Sequence, residues 1–89
     1  MQALLLLTPA LFAQKNISGK ILDDQGSPIP FASITLKDKS KGAITDAEGN
    51  FSLPNIPDGS VIIVTSQGYL SKQITVSTGM NWIISMQPA

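Results

Sequence analysis

From Gln14 onward, apolar residues recur with a period of two, in short runs separated by Gly, Pro, Asn and Asp. That spacing predicts β-strands joined by tight turns rather than amphipathic helices. In the run Ile17–Leu22, Ile17, Gly19 and Ile21 share one face, while Ser18, Lys20 and Leu22 share the other, because successive side chains of a strand point to opposite sides. Across Phe31–Lys37, Ala32, Ile34 and Leu36 alternate with Ser33, Thr35 and Lys37, the pattern of a strand with one buried and one wet face. Gly42–Thr45 and Phe51–Leu53 read as the two arms of a hairpin. Leu70–Val76 carries Ile74 and Val76 on one face, and Asn81–Met86 aligns Trp82, Ile84 and Met86. Val61–Thr65 breaks the alternation with Val61, Ile62, Ile63 and Val64 in sequence. Such a run predicts a central strand covered on both faces, by this chain or by something outside it. The expected content is seven strands and no helix: an all-β, antiparallel sandwich.

The turns carry their own chemistry. Asp23-Asp24-Gln25-Gly26 is a reversal in which Gly26 can take positive φ. Pro28 and Pro30 hold the following connection extended. In Thr45-Asp46-Ala47-Glu48-Gly49-Asn50-Phe51, the Asp46 carboxylate can accept from backbone N–H groups two residues on, and Gly49 supplies a left-handed residue. Phe51 then returns the chain to the core. Pro54–Gly59 reads as a further turn, with Ile56 plugging one end of the sandwich. Asp46, Glu48 and Asn50 place oxygen ligands at alternate positions, which raises calcium. The helix–loop–helix calcium pattern needs its Gly at position six and a Glu at twelve. Here Gly49 stands at four and Pro57 at twelve, so turn geometry accounts for all three and no metal site is expected.

The first 13 residues differ in kind. Ala3–Leu7 is an apolar run, followed by Thr8-Pro9 and Ala10-Leu11-Phe12-Ala13. This reads as the apolar centre and cleavage end of a secretory signal, too short to span a bilayer. The expected division is a signal peptide over residues 1–13 and one domain over 14–89, with no membrane span in the mature chain. A chain of 89 residues with no Cys and no His must hold its small core together by packing alone or by contact with a neighbouring domain, and an exported chain without Cys fits a bacterial envelope better than a eukaryotic secretory route. Six lysines and no arginine balance five aspartates and one glutamate. Zero net charge leaves no electrostatic footprint for nucleic acid, and Lys37-Asp38-Lys39-Ser40-Lys41 reads as a solvated turn tip.

Without His or Cys, the Ser-His-Asp and Cys-His nucleophile systems are excluded. Asp23 and Asp24 are adjacent, so their carboxylates diverge along an extended chain and make a poor acid–base pair. No catalytic residue, cofactor-binding residue or metal ligand is expected. Trp82 and Tyr69 could form a platform for a sugar ring, but Trp82 aligns with Ile84 and Met86 as a core residue would, and Tyr69 suits a rim.

Four segments in order, Ile17-x-Gly-x-Ile, Gly26-x-Pro-Ile-x-Phe-Ala-x-Ile, Gly42-x-x-Thr-Asp-x-x-Gly-x-Phe and Gly68-Tyr69, resemble the carboxypeptidase regulatory-like domain. The resemblance covers about residues 16–87. It implies a transthyretin-like (prealbumin-like) Greek-key sandwich of seven strands. It also implies homes for such a domain: the N-terminus of starch-utilisation-type TonB-dependent outer-membrane receptors of Gram-negative bacteria, metallocarboxypeptidases, and surface proteins. The order of signal and domain fits the first. On that resemblance the chain is expected to be a non-enzymatic periplasmic module, associated with the outer membrane and with carbohydrate uptake. It would touch envelope proteins or neighbouring receptor plug and barrel domains, by surface contact or by strand addition at a sheet edge. The alternative is a free-standing carbohydrate- or surface-protein-binding module. Two departures stand out: the chain holds no plug or barrel of its own, and Gln67 precedes Gly68-Tyr69 where similar domains carry an apolar residue.

Overall fold

The computed structural model describes residues 14–77 and 82–89. The expected signal segment and the Thr78-Gly79 turn lie outside those residues. Seven strands follow in order: β1 (Gln14–Leu22), β2 (Ser33–Leu36), β3 (Gly42–Ile44), β4 (Asn50–Pro57), β5 (Val61–Thr65), β6 (Lys72–Thr75) and β7 (Ile83–Ser85). They form two sheets, ordered β4-β1-β7 and β3-β2-β5-β6. The expected all-β sandwich is present, and every neighbouring pair but one is antiparallel. The exception is β1–β7, which runs parallel with Lys20 opposite Ile83 and Leu22 opposite Ser85. No tight turn joins these two strands, so nothing obliges them to reverse direction.

The core lies where the period-two pattern places it. Ile17 and Ile21 of β1, Ile34 and Leu36 of β2, Ile62 and Val64 of β5, and Ile84 with the adjoining Met86 are all buried between the sheets. Trp82 is half-buried against them. Burial of this apolar set is the main favourable term for a domain without cross-links. Ile56 is fully buried, as a plug should be.

Four local expectations change. β3 and β4 are not arms of one hairpin, because β3 pairs with β2 and β4 pairs with β1, in the other sheet. The 45–51 turn therefore carries the chain from one layer to the other. β4 runs beyond Leu53 to Pro57, through a register shift opposite Lys15 and Ile17. A bulge tolerates Pro54 inside a strand, and it sets Asn55 at φ 57°, with the Asn55 N–H donating to Asn16 Oδ1 at 3.1 Å. β5 is central in its sheet and buries Ile62 and Val64, but Val61 and Ile63 on its outer face are only half-covered. Phe31 stands outside β2, in a turn at φ 61°, and is 80% exposed.

Candidate interaction surface

The 45–51 segment is a heavily bonded turn. Asp46 Oδ1 accepts from the Glu48 and Asn50 N–H groups, each at 2.9 Å, the expected carboxylate-capped turn. The backbone closes the same loop: Asp46 N–H donates to the Asn50 carbonyl at 3.0 Å and Gly49 N–H to the Asp46 carbonyl at 2.9 Å. Gly49 has φ 79°, and a Cβ there would lie 2.7 Å from the Ile21 carbonyl oxygen and 3.1 Å from Pro28 Cβ. The Ile21 N–H in turn donates to the Gly49 carbonyl at 2.8 Å. Gly49 is thus needed twice, for its conformation and for its approach to β1.

Thr45, which the sequence pattern treats only as a strand end, is the buried polar residue of this region. Its hydroxyl donates to the Ile29 carbonyl at 2.7 Å and accepts from the Ala32 N–H at 2.8 Å. Both peptide groups belong to the proline-bearing connection, so one buried hydroxyl fastens it to β3. The clue in the sequence is a Thr where alternation meets a turn, which does not reveal its partners 13 and 16 positions away.

Asp23 repeats the Asp46 arrangement. Its Oδ1 accepts from the Gln25 N–H at 2.8 Å and the Ser27 N–H at 2.9 Å. Asp23 N–H donates to the Ser27 carbonyl, and Gly26 N–H to the Asp23 carbonyl. The two Asp-x-x-Gly loops are therefore built alike, and their carboxylates serve backbone donors. Asp38 Oδ1 accepts from the Ser40 hydroxyl at 2.7 Å and the Ser40 N–H at 2.9 Å. The hydroxyl first, and the N–H second, hold this carboxyl below the usual aspartate value. Among the described residues, no three His, Cys, Asp or Glu side chains gather as a metal site would require.

The aromatics serve packing. Trp82 is half-buried against the core and lies over Gly19, where a Cβ would come within 2.7 Å of Trp82 Cβ and of Phe51 Cε1. The Trp82 carbonyl accepts from the Lys20 N–H at 2.8 Å. Beside it runs an open groove of about 440 Å³ lined by Ser18, Gly19, Lys20, Asn50, Phe51, Trp82 and Ile83. Tyr69, also half-buried against the core, bridges to Pro88. Both rings are half-buried.

One part of the surface is largely apolar and poor in charge. Phe31 and Ile44, at 80% and 66%, are the most exposed large apolar residues among those described. The Phe31 N–H donates to the Thr45 carbonyl at 3.1 Å, which brings Phe31 next to the end of β3. The outer face of the four-stranded sheet continues from Ile44 through Ser33 and Thr35 to Val61, Ile63 and Thr65, then to Gln73 and Thr75 of β6. These residues carry no charge; Lys37, whose N–H donates to the Val61 carbonyl at 2.8 Å, adds one cation at the border of the face. An aromatic held in a left-handed conformation is a costly exception for a bulky residue, and so points to use at a contact.

A protein-family model described as a CarboxypepD_reg-like domain matches residues 17–88. The chain belongs to the CarboxypepD_reg-like domain family. This CarboxypepD_reg-like domain is 35% identical over 74 residues to the TonB-dependent receptor SusC of Bacteroides thetaiotaomicron, a match covering 82% of the chain and 7% of the receptor. It is 28% identical over 68 residues to the TonB-dependent receptor P39 of Formosa agariphila, covering 76% of the chain and 7% of that receptor. The CarboxypepD_reg-like domain therefore spans about 7% of the length of the curated relatives it matches. Among solved structures, it resembles a chain of a type II cohesin–X-dockerin complex from Acetivibrio cellulolyticus. The TM-score is 0.65 at 19% identity, over 83% of this chain and 58% of that one. That likeness shows the β-sandwich fold alone.

Proposed function

We propose that this domain is a non-enzymatic accessory module of the periplasmic side of a Gram-negative outer membrane, working as part of, or beside, a TonB-dependent nutrient receptor. The similarity to SusC, over most of this chain and a small part of the receptor, carries the reading. Its role is contact: it docks on neighbouring plug and barrel domains or on other envelope proteins and so supports nutrient uptake. The outer face, poor in charge apart from Lys37 at its border, and the exposed Phe31 and Ile44 support a protein partner, since depletion of charge and an aromatic anchor are what protein interfaces select. The non-enzymatic reading is supported by the curated relatives, which are receptors.

Reading the coding DNA on both sides tests the proposal. The expected result is a plug and barrel in the same frame or in an adjoining receptor gene. An isolated gene in a complete genome, with no receptor beside it, overturns the proposal. Fractionation of the tagged protein gives a second check: the expected fractions are periplasm and outer membrane, and a cytoplasmic protein would contradict it.

A further inference from the structure

Four strands close the sides of the sandwich: β4 and β7 on the three-stranded sheet, β3 and β6 on the four-stranded one. A free edge offers unpaired N–H and C=O groups to any other strand, and proteins commonly guard such edges with lysine. Both edges of the three-stranded sheet are guarded this way, from across the sandwich. Lys41, just before β3, donates from Nζ to the Pro54 and Asn55 carbonyls of β4 at 3.1 and 3.2 Å. Lys72, on β6, donates from Nζ to the Ser85 carbonyl of β7 at 2.9 Å. β3 is short, with three residues, and begins on a glycine. β6 has four residues, and among the described residues no lysine covers its edge in this way.

The register decides which groups β6 leaves open. Val76 faces β5: its N–H donates to the Ser60 carbonyl at 2.8 Å, and its carbonyl accepts from the Gly59 N–H at 3.0 Å. Ile74 lies opposite Ile62, and Lys72 opposite Val64, at the same phase of the ladder. Alternation therefore turns the N–H and C=O of Gln73 and Thr75 away from β5. Among the described residues, no strand pairs with that side.

We propose that this edge pairs two copies of the chain, β6 against β6, antiparallel about a two-fold axis. In the register that engages the whole strand, Gln73 lies opposite Thr75 of the second copy, and each such pair exchanges both of its N–H···O bonds. Lys72 then falls opposite Val76, so the two ammonium groups do not meet. Ile74 meets its own symmetry mate at the closely spaced, non-hydrogen-bonded position. Ile74 is half-buried in one copy, and this contact covers the remainder. On the outer face, Gln73 and Thr75 bring no charge to be desolvated. The two four-stranded sheets become one. The strand contact is short, so the dimer is weak and governed by concentration.

Sedimentation velocity of the full chain over a concentration series, with amide exchange at Gln73 and Thr75, tests this pairing. The expected result is a reversible dimer at high concentration, with both amides gaining protection as the dimer forms. Gln73→Pro and Thr75→Pro each remove only an outward N–H, so the β5–β6 ladder stays intact and dimerisation weakens by more than about tenfold. Ile44→Lys, which charges the other open edge, leaves the dimer unchanged. A monomer at every concentration, or a dimer indifferent to both prolines, overturns the proposal. So does protection at 73 and 75 that does not rise with concentration, which would give the edge to a strand of another protein. If a proline variant fails to fold, exchange on the unmutated chain decides the matter.

Discussion

Thr45 has a small side chain and a large structural task. Its hydroxyl serves the Ile29 carbonyl and the Ala32 N–H in a site closed to water. Thr45→Val keeps the shape and orphans both groups. Leaving a buried polar group unpaired costs about 1–3 kcal/mol, so urea unfolding of the valine variant should show a loss of roughly 2–4 kcal/mol. Thr45→Ser, which keeps the hydroxyl, should lose much less; a valine variant as stable as the parent would mean that the hydrogen bonds contribute nothing. Asp38 illustrates a weaker effect at the same scale. Its carboxyl is held low by the Ser40 hydroxyl and N–H. A lowered folded-state value means that any stability it contributes is present above the unfolded aspartate value of roughly 3.9. That contribution fades as pH falls through the lower folded-state value. The group is exposed, so the readout is spectroscopic: an NMR titration should place the Asp38 midpoint below that of an ordinary aspartate, and Ser40→Ala should move it up.

The two Asp-x-x-Gly loops form an internal control for elements. Gly26 and Gly49 share the left-handed conformation, at φ 83° and 79°. A Cβ at Gly26 meets nothing within 4 Å, whereas one at Gly49 runs into the Ile21 carbonyl at 2.7 Å. Conformation alone predicts a cost of about 1–2 kcal/mol for alanine at either position. Gly49→Ala should cost clearly more, because the clash falls on backbone that is itself bonded to Gly49. Paired denaturation curves of the two variants test this; equal midpoints would show that β1 gives way freely. The difference belongs to the element, not the residue: the 46–50 loop meets β1 at Gly49 itself, whereas the 23–27 loop meets β7 through the Asp23 carbonyl, which accepts from the Ser85 hydroxyl at 3.3 Å.

At the scale of the whole molecule, one small core must outweigh the ordering of the chain without a cross-link. Phe51 is buried, and loss of a core Phe costs about 3–5 kcal/mol, against a total that is only about 5–15 kcal/mol for a domain. Phe51→Ala is expected to unfold or nearly unfold the protein by circular dichroism; a melt within a few degrees of the parent would place Phe51 outside the essential core. The guarded edges govern association instead. Lys41→Ala with Lys72→Ala should change the melting temperature little, as exposed lysine contacts contribute at most about 1 kcal/mol each. Light scattering should nonetheless rise faster than in the parent, because the β4 and β7 edges lose their cover. Unchanged scattering would show that these lysines guard nothing.

Much of this was legible along the chain. Ile17, Ile21, Ile34 and Ile84 could be assigned inward because a strand's side chains alternate whatever the strand pairs with. Asp46 and Gly49 could be assigned to a turn because their chemistry is satisfied within a few residues. Sheet membership was not legible: Gly42–Ile44 and Asn50–Pro57 flank one turn and look like a hairpin, yet belong to different sheets. That choice depends on contacts distant in sequence, Thr45 with Ile29 and Ala32, and Gly49 with Ile21. The open edge of β6 and the exposure of Phe31 have the same origin. A local pattern says which face of a strand is apolar, and hydrogen-bond partners beyond the next turn are set only when the two layers close on each other.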